Sequence, residues 1–221
     1  MKSRWEHLAG VFGLLLLAYG SFRGLVQSPP DRFMGEVVRI LYIHVPTAWA
    51  ALLVFTIVFF VAVVYLFRPR WGLDAAMEAG TEVGVLMGLL LIFQGSAWAR
   101  PTWGVWWDWD PRLTTSAVLV LGFGAILALR SFVDDPKKRA TWTAVAAIVA
   151  YVDVPIVYYS VRWWRSLHQV QSTMGSVDSD IRVPLLINVT AVMFLTTWLV
   201  TRRWRVAMNA RKAELAELEA P

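Results

Sequence analysis

Six apolar stretches, each roughly 20 residues long and so long enough to cross a bilayer, dominate this chain: about 8–27, 46–67, 74–98, 113–131, 141–160 and 183–201. Hydrocarbon offers unpaired backbone N–H and C=O groups no partner, so each stretch is predicted to be a helix. The predicted fold class is an all-α integral membrane protein: six transmembrane helices, short outer amphipathic helices and a Trp-rich outer loop. Of 221 residues, 57% are hydrophobic and only 17% charged. No polar stretch is long enough for a second globular unit, so residues 1–221 read as a single membrane domain. The first apolar run, Leu8 to Tyr19, is the weakest, and Ala18-Tyr19-Gly20 resembles a signal-peptidase site. Apolar sequence continues to Val26, which favours an uncleaved anchor.

Loop charge sets the orientation. With the N-terminus inside, the inner loops and termini hold Lys2, Arg4, Arg68, Arg70, Arg130, Lys137, Lys138, Arg139, Arg202, Arg203, Arg205, Arg211 and Lys212, the majority of the chain's 21 Lys and Arg. The positive-inside rule then puts both termini in the cytoplasm. Three segments face out: about 28–45, 99–112 and 161–182. The tail, 202–221, is polar and rich in Ala, Leu, Glu and Lys. From Arg205 to Glu219 it reads as a cytoplasmic helix extending the last span. The net charge of +5 follows this sidedness and does not suggest nucleic acid. With no cysteine, the chain has no disulfides, no iron–sulfur cluster and no c-type haem attachment motif. It also lacks the Gly-rich, Lys-Ser/Thr phosphate loop of ATP-binding proteins.

The middle outer segment carries four tryptophans in seven positions, Trp103, Trp106, Trp107 and Trp109, interleaved with Gly104, Asp108 and Asp110 and closed by Arg112. Tryptophans do gather at membrane interfaces. An interfacial belt needs scattered indoles, however, and has no use for Asp, Gly and Pro between them. The segment reads instead as a shaped aromatic shelf for a planar ligand. Two of the three histidines lie in the flanking outer segments. His44 shares the i, i+3, i+4, i+7 face of Val37, Ile40 and Leu41, as on a short outer helix that ends where Pro46 opens the second span. His168 follows the fifth span, four residues after Trp164 and on one face with it if that stretch is helical. His7 sits beside Glu6 on the other side and reads as incidental. A buried histidine is usually only a core residue with a partner; two at one membrane depth, beside an indole-rich loop, ask for more. Imidazole is a standard axial ligand of haem iron, indoles pack on flat rings, and guanidinium binds carboxylate in a fork. The set thus fits haem, with His44 and His168 as ligands and Arg39 and Arg112 on its propionates.

The run Trp103-Gly-Val-Trp-Trp-Asp-Trp-Asp-Pro-Arg-Leu-Thr114 resembles the WWD signature of haem-handling membrane proteins. Arg39-Ile-Leu-Tyr-Ile-His-Val-Pro46 and Ser160-Val-Arg-Trp-Trp-Arg-Ser-Leu-His-Gln169 are similar to flanking pieces of that family. Together with six spans, they resemble one branch, haem exporter protein C of bacterial cytochrome c maturation, over nearly the whole chain. The resemblance implies that His44 and His168 ligate haem b, and that Trp103, Trp106, Trp107, Trp109 and Asp110 belong to the ring-holding motif. It implies that Arg39 and Arg112 face the propionates. It also implies a bacterial inner membrane, partnership with ATP-binding-cassette subunits and a small membrane helper, and delivery of haem to a periplasmic chaperone that binds it covalently. On that reading the chain is a haem-transfer scaffold and not an enzyme. Two positions depart from the family's pattern: Asp153 stands in place of an amide, and Arg162 in place of an acidic residue.

Outside the resemblance, Asp74, Glu78 and Glu82 fall at i, i+4 and i+8 on the third span. Carboxylates in a membrane are expensive and usually functional. This stripe is read as a docking face ahead of a proton or substrate path, with Arg68 or Arg130 as candidate partners. Asp153, beside Pro155, is expected to satisfy backbone groups that the proline frees. Two other functions remain open on sequence: a haem-containing electron-transfer subunit, and a haem-free pore or transporter subunit.

Overall fold

A computed structural model describes residues 2–170 and 177–219, with side chains from Glu6 onward and up to Leu218. The predicted outer segment 161–182 therefore lies partly outside the described residues. The chain forms α1 (Lys2–Phe22), a π-helical turn (Arg23–Gln27), a 3-10 turn (Glu36–Ile40), α2 (Leu41–Phe67), α3 (Trp71–Trp103), α4 (Pro111–Phe132), α5 (Pro136–Tyr151), α6 (Asp153–Trp163) and α7 (Ser179–Glu219). No strand forms among the described residues. Six helical stretches are long and apolar enough to cross a membrane: Glu6–Gln27, Glu36–Phe67, Trp71–Trp103, Pro111–Phe132, Pro136–Trp163 and Ser179–Leu218. They coincide with the six predicted spans and extend beyond them. The protein is a multi-pass, all-α membrane protein.

Two local expectations need correction. Pro46 does not open the second helix. It is the sixth residue of α2, which already begins at Leu41 and contains His44. The preceding turn is 3-10, and its wound-up pitch rotates the face, so that Val38 and Tyr42 are the buried residues while Val37, Ile40, Leu41 and His44 are only half-buried. The fifth span is not one helix but two, broken at Val152. Pro155 lacks the N–H that would bond the Tyr151 carbonyl, and its ring crowds that carbonyl, so the helix yields one turn earlier. The tail behaves as predicted: α7 runs unbroken for 41 residues. At 1.5 Å per residue that is about 60 Å, roughly twice the hydrocarbon thickness.

Helix α2 is central, packing on α3, α5 and α7; α1 lies along α7, and α4 along α3, α5 and α6. Glycines set the closest approaches. A Cβ added at Gly80 would stand 2.5 Å from the Val58 side chain, one at Gly84 2.5 Å from the Phe55 ring, and one at Gly88 2.5 Å from Val120. Close approach through small residues is how membrane helices gain packing where no hydrophobic drive between them exists. Phe55 cannot simply step aside, because it is fully buried and stacked on Phe123 with ring centroids 4.0 Å apart. Gly84→Ala therefore sets a helix-propensity gain of up to ~1 kcal/mol against an overpacking cost of ~1–3 kcal/mol. The expected outcome is a lower thermal unfolding midpoint in detergent. A midpoint equal to or above wild type would show that the α2–α3 contact has slack.

The start of α3, remote from the tryptophan loop, carries the carboxylate stripe, and each carboxylate meets an arginine. Asp74, fully buried, bonds Arg130 at 2.8 Å and Arg211 at 2.7 Å. Glu78 pairs with Arg130 and lies 3.5 Å from Arg211. Glu82 is held by both nitrogens of the Arg203 fork. Arg130 also donates to the Thr143 hydroxyl at 3.0 Å. Glu214 accepts two bonds of 2.7 Å from Arg139 and pairs with Arg211. The stripe is thus an internal seam that binds the extended α7 to α3, α4 and α5. The partners differ in part from the sequence reading: Arg130 takes part, but Arg203 and Arg211 stand where Arg68 was considered.

Candidate functional site

The opposite end of the bundle gathers the start of α2, the end of α3, the start of α4 and the segment after α6. His44, in the first turn of α2, lies edge-on to Trp98 of α3, with ring centroids 5.4 Å apart and planes at 81°. Gly95, one turn back from Trp98, makes room for it: a Cβ there would stand 3.2 Å from His44 Cε1.

Asp110 organises the other side. It is buried and caps α4, its Oδ1 accepting the Arg112 N–H at 2.8 Å, with Pro111 at the first helical position, where a missing N–H costs nothing. The same carboxylate accepts the Ser166 hydroxyl at 3.1 Å and the Leu167 N–H at 2.6 Å. Ser166 Oγ in turn accepts the His168 N–H at 3.0 Å. One carboxylate therefore ties the segment after α6 to the head of α4. His168 lies between Asp110 and Trp103. Its Nδ1 is 3.9 Å from Asp110 Oδ1, too far for a hydrogen bond, and its ring is 5.1 Å from that of Trp103. The chain is not helical from Trp164 to Val170, so the i, i+4 pairing of Trp164 with His168 is not formed; the Asp110 bonds to Ser166 and Leu167 fix the segment instead.

Arg112, in the first turn of α4, is within electrostatic reach of both imidazoles, and the two imidazoles are within reach of each other. Neither ring makes a hydrogen bond among the described residues. His44 Nδ1, His168 Nδ1, Arg112 NH1, Trp98 Nε1, Gln94 Oε1 and Thr114 Oγ1 are all buried without a partner there. Native interiors leave few such atoms unsatisfied, and here six come from neighbouring turns at one end of the bundle. Burial holds the His168 imidazole down to about 4, Arg112 adding to the effect and Asp110 opposing it, so the ring is neutral at physiological pH. At Asp110 burial pushes the carboxyl upward, but the Leu167 N–H, the Ser166 hydroxyl and the Arg112 N–H outweigh it and hold the group below its usual range.

The tryptophan segment is a loop folded onto the end of α3. Gly104, at φ +82°, closes the helix in a conformation that suits glycine. Ser96 donates to the Trp106 carbonyl at 2.7 Å, drawing the loop back. Trp106 and Trp109 are exposed, and the rings of Trp107 and Trp109 meet at 84°. The indoles thus do not lie as a single flat shelf, because the backbone turns irregularly after Gly104 and sends them different ways. Trp103 is the one that meets a histidine.

Arg39 is not brought to this cluster. It pairs with Glu36 and donates to the Gly24 carbonyl at 3.2 Å and to that of Leu25. His7 is exposed at the other end, 3.4 Å from Arg202. Asp153 Oδ2 is buried with no hydrogen-bond partner, so it does not satisfy the groups freed by Pro155. Trp98, Gly95 and Ser166 were missed on sequence. Trp98 and Gly95 are three apart on one helical face, a usable signal hidden by their place at the end of an apolar span. The tie from Ser166 to Asp110 crosses 56 positions and has no local signature.

Comparison with known proteins gives a consistent result. A family model described as Heme exporter protein C matches residues 1–219. The chain is 35% identical over 196 residues to Heme exporter protein C of Bradyrhizobium diazoefficiens, covering 86% of this chain and 74% of that one. It is 34% identical over 205 residues to that of Haemophilus influenzae, covering 91% and 83%. It is 30% identical over 218 residues to that of Escherichia coli K12, covering 97% and 88%.

Proposed function

We propose that this chain, which belongs to the Heme exporter protein C family, holds haem b at the periplasmic face of the bacterial inner membrane and delivers it to a periplasmic haem chaperone during cytochrome c maturation. The observation that supports this most directly is the pairing of His44 and His168. They are 124 positions apart in sequence, lie within electrostatic reach of each other and of Arg112, and neither ring hydrogen-bonds among the described residues. A neutral imidazole presents a lone pair to iron, and two of them supply both axial positions. Arg112 NH1, buried and unpartnered, suits a propionate carboxylate, which a guanidinium binds in a fork. Arg39, also assigned to the propionates, would have to leave its Glu36 and carbonyl partners. Trp103, Trp106, Trp107 and Trp109 offer aromatic surface to the ring, with Asp110 fixing the loops between which it sits. Both termini are cytoplasmic in this scheme, and ATP-binding-cassette subunits and a small membrane helper are the partners. The chain works as a transfer scaffold, and haem is its cargo.

The test is transfer. Purified protein loaded with haemin is expected to show a Soret band that passes to the soluble chaperone on mixing. A protein that never acquires a Soret band would remove haem from the function. A band that stays, with reversible reduction by a quinol, would make the chain an electron-transfer subunit.

The depressed His168 value also sets a pH window. The unfolded chain takes up a proton near the ordinary imidazole value of 6.5, whereas the folded ring does so only near 4. Stability from this group is therefore present above 6.5 and is lost progressively as pH falls from 6.5 towards 4. The thermal midpoint of the haem-free protein is expected to fall as pH is lowered from 6.5 towards 5, where the unfolded imidazole is protonated and the folded one is not. An equal fall in His168→Ala would show that His168 does not set this window.

A further inference from the structure

The flank of the bundle carries an apolar hollow, with Leu53, Tyr158 and Tyr159 exposed at its rim. A cavity of about 390 Å3 lies between α2 and α6, lined by Leu52, Leu53 and Thr56 on one side and Tyr151, Val154, Pro155, Tyr158 and Tyr159 on the other. It falls within the range of small-molecule sites, roughly 300–1,000 Å3. The hollow exists because the chain breaks at Val152: α5 and α6 do not continue in one line, and the break leaves Tyr151, Val154 and Pro155 as its floor. Leu52 is eight residues beyond His44 on α2, about 12 Å along the helix. Tyr158, near the outer end of the hollow, is within electrostatic reach of Arg112. Tyr159 stacks on Trp163 at 5.4 Å and 19°, and Trp163 meets Trp164, so an aromatic series climbs from the hollow towards the segment that carries His168.

We propose that the α2–α6 hollow is the lateral access path by which haem passes from the lipid into the site between His44 and His168. This rests on the haem-binding reading above and adds a route to it. The occupant is argued from chemistry at both ends. Haem is a flat amphiphile with an apolar edge and two carboxylates. The hollow offers an almost wholly apolar wall with three tyrosine rings, and one of those rings, Tyr158, is within electrostatic reach of Arg112, which has a guanidinium nitrogen that is buried and unpartnered. A membrane-dissolved haem with its carboxylates towards the headgroups would meet the wall with its apolar edge and Arg112 with its propionates, without leaving the bilayer.

The chain has no native cysteine, which makes the test clean. Leu53→Cys places a thiol on a residue that lines the hollow yet is half-exposed on the surface, so substitution there disturbs packing little. The variant is put into phosphatidylcholine vesicles already carrying haemin, with or without a bulky aromatic maleimide on the thiol, and the Soret band is followed in time. Blocking before loading is expected to slow the appearance of the band by at least about tenfold, equivalent to one factor of ten in rate constant. Blocking after loading is expected to leave the spectrum as it was, which also shows that the adduct does not unfold the protein. Loading at the unmodified rate with the hollow blocked would overturn the proposal. So would displacement of bound haem by late blocking, since the hollow would then be part of the resting site and not a path to it. If unmodified protein acquires no band at all, the failure belongs to the haem-binding reading instead.

Discussion

Asp74→Ala is expected to cost ~3–5 kcal/mol of stability, the range for breaking a buried ion pair by removing one partner. Asp74 is fully buried and accepts from both Arg130 and Arg211, which are themselves buried. Removing the carboxylate leaves two guanidinium groups with only Glu78, Glu214 and the Thr143 hydroxyl to share. Arg211 is brought from the far end of α7, 137 positions away. The expected signature is therefore specific: proteolysis in the 203–219 segment rises first, and the thermal midpoint falls. Haem binding by the fraction that stays folded is unchanged, because the seam lies at the start of α3 and the histidines face its end. A variant with a wild-type midpoint would show that the seam is solvated.

Asp110→Ala is expected to lower haem affinity by ~10–100-fold, the range for partners that orient a metal ligand without touching the metal. Two structural losses lead there. The α4 cap contributes about 1 kcal/mol. The bonds to the Ser166 hydroxyl and the Leu167 N–H end on a charged acceptor, a class of bond worth ~1.5–3 kcal/mol each. Together they hold the non-helical segment that positions His168, and without them the imidazole has no fixed place opposite His44. Asp110→Asn keeps an acceptor oxygen but loses the charge and one of the two equivalent oxygens, so an intermediate loss is expected. The readout that separates positioning from general damage is the rate of haem dissociation compared with the unfolding midpoint. Since those losses also lower the midpoint, the positioning role is read from an off-rate that exceeds that of Gly84→Ala at a comparable fall in midpoint. Unchanged affinity in Asp110→Ala would mean that Asp110 does not fix His168.

What the sequence made legible follows from the physics of lipid. Six spans and the continuous α7 come from hydropathy and length, because the bilayer allows helices little freedom to be anything else. That His44, His168 and the tryptophan loop fall at one end of the bundle was legible because all lie in segments flanking the spans on the same side. Three things were not. The break at Val152 is set by which turn yields to Pro155, a local contest that hydropathy does not record. The use of Arg203 and Arg211 in place of Arg68 depends on how far α7 runs past the membrane and against which helix. The bond from Asp110 to the Ser166–Leu167 backbone joins two loops with no shared pattern. In the last two cases a pairing between distant segments decides the outcome, and single residues carry no trace of it.

Low-temperature electron paramagnetic resonance of the ferric haem complex tests the joint ligation most directly. The wild-type protein is expected to show a low-spin signal from two axial imidazoles. His44→Ala and His168→Ala should each give a high-spin, five-coordinate signal, and added imidazole should restore low-spin character in part. If both single variants keep the wild-type low-spin signal, His44 and His168 are not the axial pair.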